Sequence, residues 1–482
     1  MTSPHTTEAP LHFVDPRQFK ANTREAVDDA HLRRSFRSAM DFLQAKRAAH
    51  FHDTTAFDTL RHVGEAIRQY SLSKLPDLLE QLEQRLTQRG VQVHWAATPE
   101  EANAIFLALA RSQGASGMIK GKSMVSEEIE LNHRMAEHGV HCLESDMGEY
   151  IVQLAGERPS HIIMPAIHKT KQQIAELFAQ KIPNTPYTED VDQLIAIGRQ
   201  VLRNEFRDAK IGVSGVNFMV ADTGTLVLVE NEGNGRMCTT VPDMHIAITG
   251  IEKVVERFEH VLPLFSLLTR SATGQAVTTY FNAITGPRRE GELDGPRQLH
   301  LILLDNGRSQ AYADADFRPT LQCIRCGACM NHCPVYARIG GLAYGTTYPG
   351  PIGSIISPHL LGLEPTQDLP TASSLCGACA EVCPVGIPIP DLLMQLRRAA
   401  KHDPQPGRAP LAGQGSAKDW KEALAWRTWA WLNEHPRVNR WAIDLGRRLR
   451  GLTPPWQGGW TAHRTPLKLA RRGLRDRLPG KR

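Results

Sequence analysis

The sequence lacks any long run of apolar residues. No stretch among its 482 residues approaches 18 uninterrupted apolar side chains, so we expect no segment that spans a membrane. The N-terminal stretch MTSPHTTEAPLHFVDPRQFK lacks a basic region followed by an apolar core, which predicts the absence of a secretory signal. We therefore expect a cytoplasmic protein, with a peripheral position on the inner face of the membrane as a further option.

Cysteine is scarce and unevenly placed. The chain has 9 cysteines, and all but Cys142 and Cys238 lie in two short runs, CIRCGACMNHCP at 323–334 and SSLCGACAEVCP at 373–384. A secreted disulfide framework would spread cysteines through a small chain, whereas this clustering indicates metal binding. Neither Cys142 nor Cys238 lies in a sequence motif that places a base beside the thiol, so both are predicted to be structural.

The first run has the spacing of a bacterial-type iron–sulfur site. Cys323, Cys326, Cys329 and Cys333, followed by Pro334, give C-x2-C-x2-C-x3-C-P. A tight loop with a cysteine at every third residue can bind three corners of one [4Fe–4S] cube. The fourth cysteine ligates the other cluster in two-cluster proteins. Zinc is the alternative, but a tetrahedral zinc site usually pairs two C-x2-C units.

The second run aligns with the first on its Cys-Pro pair, and Ser373 then falls where the first run has Cys323. If the last cysteine of each run ligates the cluster of the other run, one cluster is bound by Cys323, Cys326, Cys329 and Cys383. The other takes Cys333, Cys376 and Cys379 and lacks one thiolate. We predict a [4Fe–4S] cluster at the first site. At the second we predict a [4Fe–4S] cluster with Ser373, solvent or another group as fourth ligand, a [3Fe–4S] cluster, or an unstable site. His332, inside the first run, is expected to be a loop residue.

Four regions follow from the patterning: a helical segment at 1–70, an α/β domain at 71–305, a region at 306–400 that holds both cysteine runs, and a C-terminal region at 401–482. In the second region, short β-rich runs such as VQVHWA, TLVLVEN and HIAITGIEKVV alternate with helical patterns such as EEANAIFLALARSQG and VDQLIAIGRQVLRNEF. Strands that alternate with helices predict an α/β domain built on a largely parallel sheet.

Polar residues cluster near the expected strand ends of this domain. In open α/β sheets ligands bind beyond the carboxyl ends of the strands, so these residues are candidates for binding or acid–base chemistry. Alternatively, these residues cap helices or lie on solvated faces. The sequence does not show a nucleophile together with a base and a residue that orients the base. The candidates are Lys120, Lys122, Ser123, Glu127 and Glu128; Glu144, Asp146, Glu149 and Gln153; and His161 and His168, which bracket a predicted strand in HIIMPAIH.

The stretch GVSGVNFMVADTGTLVLVENEGNGR, at 212–236, is predicted to form two apolar strands joined by a turn at 222–225. The second strand ends in the polar, glycine-rich loop 230–235. This loop is a candidate pocket edge for the same reason as the polar clusters. A simple surface turn is the alternative, because Gly-x-Gly without the rest of a phosphate-binding fingerprint is weak evidence.

The C-terminal region is strongly basic and rich in tryptophan. From residue 401 onward 18 Lys and Arg face 6 Asp and Glu, and seven of the 8 tryptophans lie in 417–482. A solvated basic end is one interpretation. Docking onto an acidic partner subunit or a membrane surface is the other. No nucleic-acid-binding motif accompanies the charge, so we do not expect nucleic acid as a partner.

Ordered motifs along nearly the whole chain resemble the lactate utilization protein B family, the iron–sulfur subunits of bacterial three-protein L-lactate oxidation systems. The motifs are KGKSMVSEEIELN, DMGEYIVQL, PSHIIMPAIHK, GVNFMVADTGTLVLVENEGN, CIRCGACMNHCPVY, YPGPIGS, SSLCGACAEVCPV and PPWQGGWTAHRTP. The resemblance implies an α/β domain related to sugar-isomerase and CoA-transferase-like folds, followed by an α-helical two-cluster ferredoxin domain and a helical C-terminal segment.

The resemblance also implies a function. The expected role is electron transfer while L-lactate becomes pyruvate, as a component of a complex rather than as a complete enzyme. The implied partners are a second iron–sulfur protein, a small protein that shares the α/β domain, and an electron acceptor such as a quinone. The alternatives are a subunit of another 2-hydroxy-acid or glycerol-phosphate oxidation complex, and an acyl- or CoA-transferase-like enzyme with redox-sensing clusters. The resemblance implies that the seven cysteines of the two runs are cluster ligands. It implies no catalytic residue.

Overall fold

The computed structural model describes residues 15–401, 411, 420–458, 461 and 464–472. The chain divides into two compact units, Met1–Gly415 and Ser416–Arg482. Within the described part of the chain, no helix is long and apolar enough to cross a membrane.

Four helices open the first unit: α1 (Phe19–Asp28), α2 (Ala30–His50), α3 (Thr54–Ser73) and α4 (Leu75–Gln88). Aspartates begin two of them, because the Asp29 carboxylate accepts backbone N–H groups at the start of α2 and Asp53 does the same for α3. In α2 the buried residues Phe36, Met40 and Leu43 follow one another at helical spacing. The helical N-terminal segment is therefore confirmed.

Strands and helices alternate in the following region, as the sequence predicts. Its elements are β1 (Gln92–Ala96), α5 (Pro99–Ser112), β2 (Gly117–Lys120), α6 (Met124–Glu128), α7 (Leu131–Ala136), β3 (His141–Glu144), α8 (Met147–Ala155), α9 (Lys171–Lys181), α10 (Val191–Asp208), β4 (Ile211–Gly215), β5 (Phe218–Val220), β6 (Thr225–Glu230), α11 (Asn234–Thr240), β7 (Met244–Gly250), β8 (Val254–Val255), α12 (Val261–Ala272), β9 (Tyr280–Ile284) and β10 (Gln298–Leu304).

The central sheet has six strands in the order β1-β10-β7-β4-β2-β3, and every neighbouring pair is parallel. Its central strands β4 and β7 are buried along their whole length, which explains their nearly continuous apolar sequences. A second sheet, β8-β5-β6-β9, contains an antiparallel hairpin between β5 and β6. The predicted α/β class with a largely parallel sheet is confirmed.

One strand prediction is wrong in detail. The first of the two strands expected in 212–236 is divided into β4, which lies in the central sheet, and β5, which lies in the second sheet. Asn217 lies at the break, where its backbone N–H donates to Val227 O at 2.8 Å and its side-chain oxygen accepts from Val229 N at 2.9 Å. The asparagine therefore redirects the chain. The expected turn is present between β5 and β6, with Gly224 at φ 60°.

The cysteine-containing region is helical: α13 (Arg308–Ala313), α14 (Ala328–Asn331), α15 (Tyr336–Ile339), α16 (Gly350–Leu360), α17 (Leu363–Thr366), α18 (Ala378–Glu381) and α19 (Ile389–Ala399). It shares a hydrophobic core with the N-terminal helices. The Phe36 ring lies 5.6 Å from that of Tyr336, centre to centre, and Phe19 lies 5.5 Å from Tyr344. The N-terminal helices are thus part of the environment of the cysteines, which the sequence did not indicate.

The second unit contains α20 (Trp420–Glu434) and α21 (Pro436–Arg448), which confirms a helical C-terminal segment. None of the residues of these two helices is buried. The exposed side chains include the tryptophans 420, 426, 429, 431 and 441.

Candidate iron–sulfur site

The first cysteine run forms a tight loop closed by the short helix α14. Arg325 and Gly327 adopt left-handed backbone conformations, with φ values of 61° and 76°, and these turn the chain back after Cys323 and Cys326. All four cysteines of the run are buried. His332 contacts Ala328 O through its Nδ1 atom at 2.9 Å, as expected of a loop residue.

The second run repeats the backbone of the first. Leu375 and Gly377, with φ values of 56° and 87°, correspond to Arg325 and Gly327, and α18 corresponds to α14. Cys379 and Cys383 are buried, whereas Cys376 is exposed. The sequence alignment of the two runs therefore describes a true repetition of structure.

Four thiols from both runs lie together. Burial raises the pKa of Cys329 well above its ordinary value, and the neighbouring thiols of Cys326, Cys323 and Cys383 raise it further. The pKa of Cys326 is likewise raised, first by burial and then by Cys323 and Cys383. These mutual effects place Cys383, from the second run, beside three cysteines of the first.

The remaining three thiols form a second group. Burial raises the pKa of Cys379 to about 11, and Cys333 and Cys376 are the thiols that add to the effect. The pKa of Cys333 is raised by burial and then by Cys376. Cys333, from the first run, thus lies with two cysteines of the second.

Ser373 has the local geometry of Cys323. The Leu375 backbone N–H donates to Ser373 Oγ at 3.1 Å, and the Arg325 backbone N–H donates to Cys323 Sγ at 3.3 Å. In each case the donor is two residues further on and has a left-handed backbone. Within its own run, the Ser373 hydroxyl thus has the hydrogen bond that the Cys323 thiol has in the first run.

The donor set fits iron–sulfur clusters. Thiolates are the ligands that such clusters use, and backbone N–H groups hydrogen-bonded to the sulfurs stabilise them. Tyr336 N–H donates to Cys333 Sγ at 3.5 Å and Ile387 N–H donates to Cys383 Sγ at 3.4 Å. The surrounding residues are mostly apolar, because six of the seven thiols belong to the main hydrophobic core. Binding of iron would remove the protons that burial otherwise holds on these thiols.

The sequence did not predict that buried lysine and arginine side chains lie near the group of four thiols. Burial lowers the pKa of Lys253 to about 8, with Arg325 adding to the effect, while Glu252 and Cys323 raise it. Burial also lowers the pKa of Arg68 to about 10, against the opposing effects of Glu252 and Cys323. The group of four therefore lies in a positively charged environment.

Helices α2 and α3 hold the cysteine loops from the N-terminal side. Arg61 donates to Cys383 O at 2.8 Å and to Ala380 O at 2.9 Å, and Gln44 donates to Asn331 O at 2.6 Å. Arg68 donates to Leu321 O at 3.0 Å. The patterns of α2 and α3 predict amphipathic helices, and nothing in them marks these polar residues as contacts of the cysteine loops.

A ring of buried charges joins the cysteine region to the α/β domain. Both oxygens of Glu128 accept from Arg308 at 2.8 Å, and Arg308 Nε donates to Glu252 at 2.6 Å. Glu252 also accepts from Arg325 at 3.2 Å, and Tyr348 OH donates to Glu128 at 3.0 Å. The Arg325 guanidinium lies 4.6 Å from the centre of the Tyr348 ring, and this contact completes the ring of interacting side chains.

Most of the polar candidates of the α/β domain have structural roles. Ser123 caps α6 and Asp146 caps α8 through their side-chain oxygens. Gln153 accepts from Glu144 N and donates to Cys142 O, which ties α8 to β3. Cys142 and Cys238 are buried, in agreement with a structural role. Lys120, Glu127, Glu144 and Glu149 form a separate group at the ends of β2 and β3.

The strand predicted between His161 and His168 is absent, and this segment is a loop. His161 Nδ1 accepts the backbone N–H groups of Ile163 and Met164, at 3.0 and 3.2 Å, and this turn replaces strand pairing. Its Nε2 atom contacts Asn331 Oδ1 at 2.9 Å, between two cysteines of the first run. His161 thus connects the loop to the cysteine region.

His168 lies between Ser160 Oγ and Glu157, at 2.7 Å from each. The order Ser–His–Glu is that of a hydrolase triad. However, Ser160 is fully buried and its hydroxyl donates to Pro165 O at 3.0 Å. These contacts close the loop, and they leave the hydroxyl no access to a substrate.

The glycine-rich loop 230–235 packs against the start of α8. Glu230 accepts the backbone N–H groups of Gly235 and Arg236, each at 2.6 Å, and Glu232 accepts that of Met147 at 3.0 Å. Asn234 donates to Ser145 Oγ at 3.3 Å. The loop therefore borders the region where β3 ends.

Comparison with known families defines the class of protein. Residues 79–304 match the LUD domain, residues 320–387 the 4Fe-4S dicluster domain, and residues 395–481 the family described as lactate utilisation protein B, C-terminal. The chain is therefore an iron–sulfur protein in which a LUD domain precedes a dicluster ferredoxin domain.

Similar proteins identify the family. Lactate utilization protein B of Bacillus pumilus is 44% identical over 83% of this chain and 84% of its own, and that of Bacillus subtilis is 42% identical over 82% of each. The uncharacterized electron transport protein YkgF of Escherichia coli is 40% identical over 93% of this chain and 90% of its own. This chain belongs to the lactate utilization protein B family, which confirms the resemblance seen in the sequence.

Proposed function

We propose that the chain is the electron-transferring iron–sulfur subunit of a multi-protein system that oxidises L-lactate to pyruvate. The observation that carries the proposal is the gathering of seven thiols into a group of four and a group of three, each drawn from both runs. The names of the relatives supply the substrate and the process, lactate utilization and electron transport.

The ligand assignment follows the two groups. Cys323, Cys326, Cys329 and Cys383 bind a [4Fe–4S] cluster. Cys333, Cys376 and Cys379 bind the second cluster, and we assign Ser373 Oγ as its fourth ligand, which makes it a [4Fe–4S] cluster as well. The matching hydrogen bonds at Ser373 and Cys323 support this choice over a [3Fe–4S] cluster.

When bound, each cluster accepts and releases one electron at a time. The residues of the chain hold the ligands in place and set the local charge. Arg61 and Gln44 fix the loops through backbone carbonyls, and the buried apolar core excludes water from six of the thiols. Arg68, Lys253 and Arg325 surround Cys323 with positive charge, which favours the reduced, more negative state.

The partners in this proposal are a second iron–sulfur protein and a small LUD-domain protein, with a quinone or another carrier as the acceptor. The C-terminal unit is the docking surface. Its tryptophans are exposed, with Trp426 at 60% and Trp429 at 59%, and the region from residue 401 has 18 basic against 6 acidic residues. Aromatic and arginine side chains dominate interface energetics, so this surface suits an acidic partner protein.

A double substitution tests the docking surface. Trp426→Ala with Trp429→Ala should weaken capture of the partner proteins at least about tenfold and leave the melting temperature unchanged, because both rings are exposed. The matched control is Trp95→Ala in the α/β domain, which removes a tryptophan of similar exposure, 46%. Unchanged capture by the double variant would contradict the assignment.

Growth of a deletion strain tests the function. Loss of the gene should abolish growth on L-lactate and leave growth on glycolate and on glycerol 3-phosphate intact, and the wild-type gene should restore it. Complementation with Cys326→Ala should fail. Growth on L-lactate without the gene would contradict the proposal. Loss of growth on glycolate instead would indicate a different oxidation complex, and acyl- or CoA-transferase activity of the chain alone would indicate the enzyme alternative.

A further inference from the structure

Three carboxylates and a lysine meet at the carboxyl edge of the central sheet. Lys120 is the last residue of β2 and Glu144 the last of β3, and the two are paired in register. Glu127 lies on α6 and Glu149 on α8. One oxygen each of Glu127, Glu144 and Glu149 lies within 4.8 Å of the other two. This is the edge at which parallel sheets bind ligands.

Lys120 holds two of the carboxylates in place. Its Nζ atom is fully buried and lies 2.5 Å from Glu127 Oε1 and 2.6 Å from Glu144 Oε1. Asn132 also donates to Glu144 Oε1, at 2.6 Å. One oxygen of Glu144 is therefore fully engaged, which leaves the other oxygen of this side chain available to the centre of the group.

The oxygens that remain are buried and unpartnered. Within the part of the chain that the structure describes, neither carboxylate oxygen of Glu149 has a hydrogen-bond partner, and Glu144 Oε2 has none either. Glu149 is only 2% exposed. A buried carboxylate oxygen without a partner is unfavourable, because it has lost its hydration and gained nothing in return.

The positive charge around Glu149 is insufficient for three carboxylates. Lys120 contacts Glu127 and Glu144, and Lys122 donates to Ile163 O at 2.9 Å. Burial raises the pKa of Glu149 well above its ordinary value, and Glu144 raises it further, while Lys122 opposes the change. A cation placed among the three carboxylates would satisfy the free oxygens and supply the missing charge.

We propose that Glu127, Glu144 and Glu149 bind a divalent cation that prefers oxygen ligands, such as Mn²⁺, Mg²⁺ or Ca²⁺. Opposite oxygens around Ca²⁺ are roughly 4.6–5.2 Å apart, so three oxygens within 4.8 Å of one another are close enough to bind one ion of this class. The Glu127 side chain is 23% exposed and provides the entry from solvent. Lys120 is a positioning residue that orients two of the ligands. This site is separate from the thiols, which suit iron.

Manganese binding tests the proposal. Full-length protein, purified without oxygen and with its clusters loaded, is titrated with Mn²⁺ while EPR measures the free ion. The wild type should bind about one Mn²⁺ per chain, and Glu149→Gln should bind it at least about tenfold more weakly. The matched control is Glu137→Gln, an exposed glutamate at the end of α7 that should bind Mn²⁺ as the wild type does.

Two results would overturn the proposal: equal Mn²⁺ affinity of the wild type and Glu149→Gln, or no binding by the wild type at about 1 mM Mn²⁺. Cluster content and the melting temperature show whether the variant is folded. Should Glu149→Gln fail to fold, Glu127→Gln at the partly exposed position gives the same comparison. Thiols left without iron could bind Mn²⁺ as well, but that binding would be equal in the wild type and in the glutamate variants.

Discussion

Ser373 takes, in the second cysteine run, the place that Cys323 has in the first. Each side chain accepts the backbone N–H of the residue two positions on, at 3.1 Å for Ser373 and 3.3 Å for Cys323, and that residue has a left-handed backbone in both runs. Oxygen has replaced sulfur while the local geometry has been kept. Under the ligand assignment that we propose, the two runs with seven cysteines offer eight ligands.

Ser373→Ala removes the proposed eighth ligand. Because one iron would have no protein ligand, the iron content should fall from about eight to about seven atoms per chain. The oxidised protein should gain the EPR signal of a [3Fe–4S] cluster. Ser373→Cys should keep about eight iron atoms. The control is Ser374→Ala, at the exposed neighbouring position. Wild-type iron content and spectra in Ser373→Ala would exclude the serine as a ligand.

Arg308→Met breaks the buried ring of charges. Glu128 and Glu252 would each lose their main partner in a fully buried site, so we expect the free energy of unfolding to fall by about 3–5 kcal/mol. Arg257→Met, which removes an exposed arginine near Glu256, should cost less than about 1 kcal/mol. Urea unfolding of both variants measures the difference. Similar stabilities would show that the ring does not hold the two regions together.

Acid should weaken the same ring. Burial alone would raise the pKa of Glu252, but the guanidinium groups of Arg308 and Arg325 dominate and lower it to about 2. Because the folded-state pKa lies below that of the unfolded chain, about 4.3, the stabilisation is complete above that value and is lost as the pH falls towards about 2. In Glu252→Gln this part of the acid sensitivity should disappear. Identical pH profiles of stability would contradict the assignment.

Lys253→Met should lower the reduction potential of the first cluster by tens of millivolts, on the order expected for loss of a nearby positive charge. Redox titration followed by EPR measures the shift. Lys171→Met, an exposed lysine on α9, is the control. An unchanged potential in Lys253→Met would show that the charge of Lys253 does not act on the first cluster.

Local sequence signals predicted much of the fold. Helix α5 begins at Pro99 after the capping residue Thr98, and α10 begins after Asp190, so both helices could be placed from the sequence. The two cysteine runs could be aligned because their spacing reflects the shape of one cluster loop. By contrast, HIIMPAIH has the composition of a strand, but the hydrogen bonds of His161 and the contact with Asn331 make it a loop.

The surroundings of the cysteines could not be predicted. Arg68 donates to the carbonyl of Gln322, which lies 254 positions away along the chain, and Arg308 meets Glu128 across 180 positions. Such pairings depend on the tertiary fold, and an arginine in an amphipathic helix looks the same in sequence whether it faces water or a cluster loop. The residues around Glu149 belong to separate polar motifs in the sequence. The sequence alone could not show which of these residues contact one another.

Iron and sulfide counting on two double variants tests the exchange of ligands between the runs most directly. Cys333 and Cys376 are assigned to one cluster although they come from different runs, so Cys333→Ala with Cys376→Ala should leave about four iron atoms per chain. Cys376 and Cys383 come from one run but are assigned to different clusters, and their joint replacement by alanine should disturb both. The reverse result, with four iron atoms kept only when Cys376 and Cys383 are replaced together, would contradict the account.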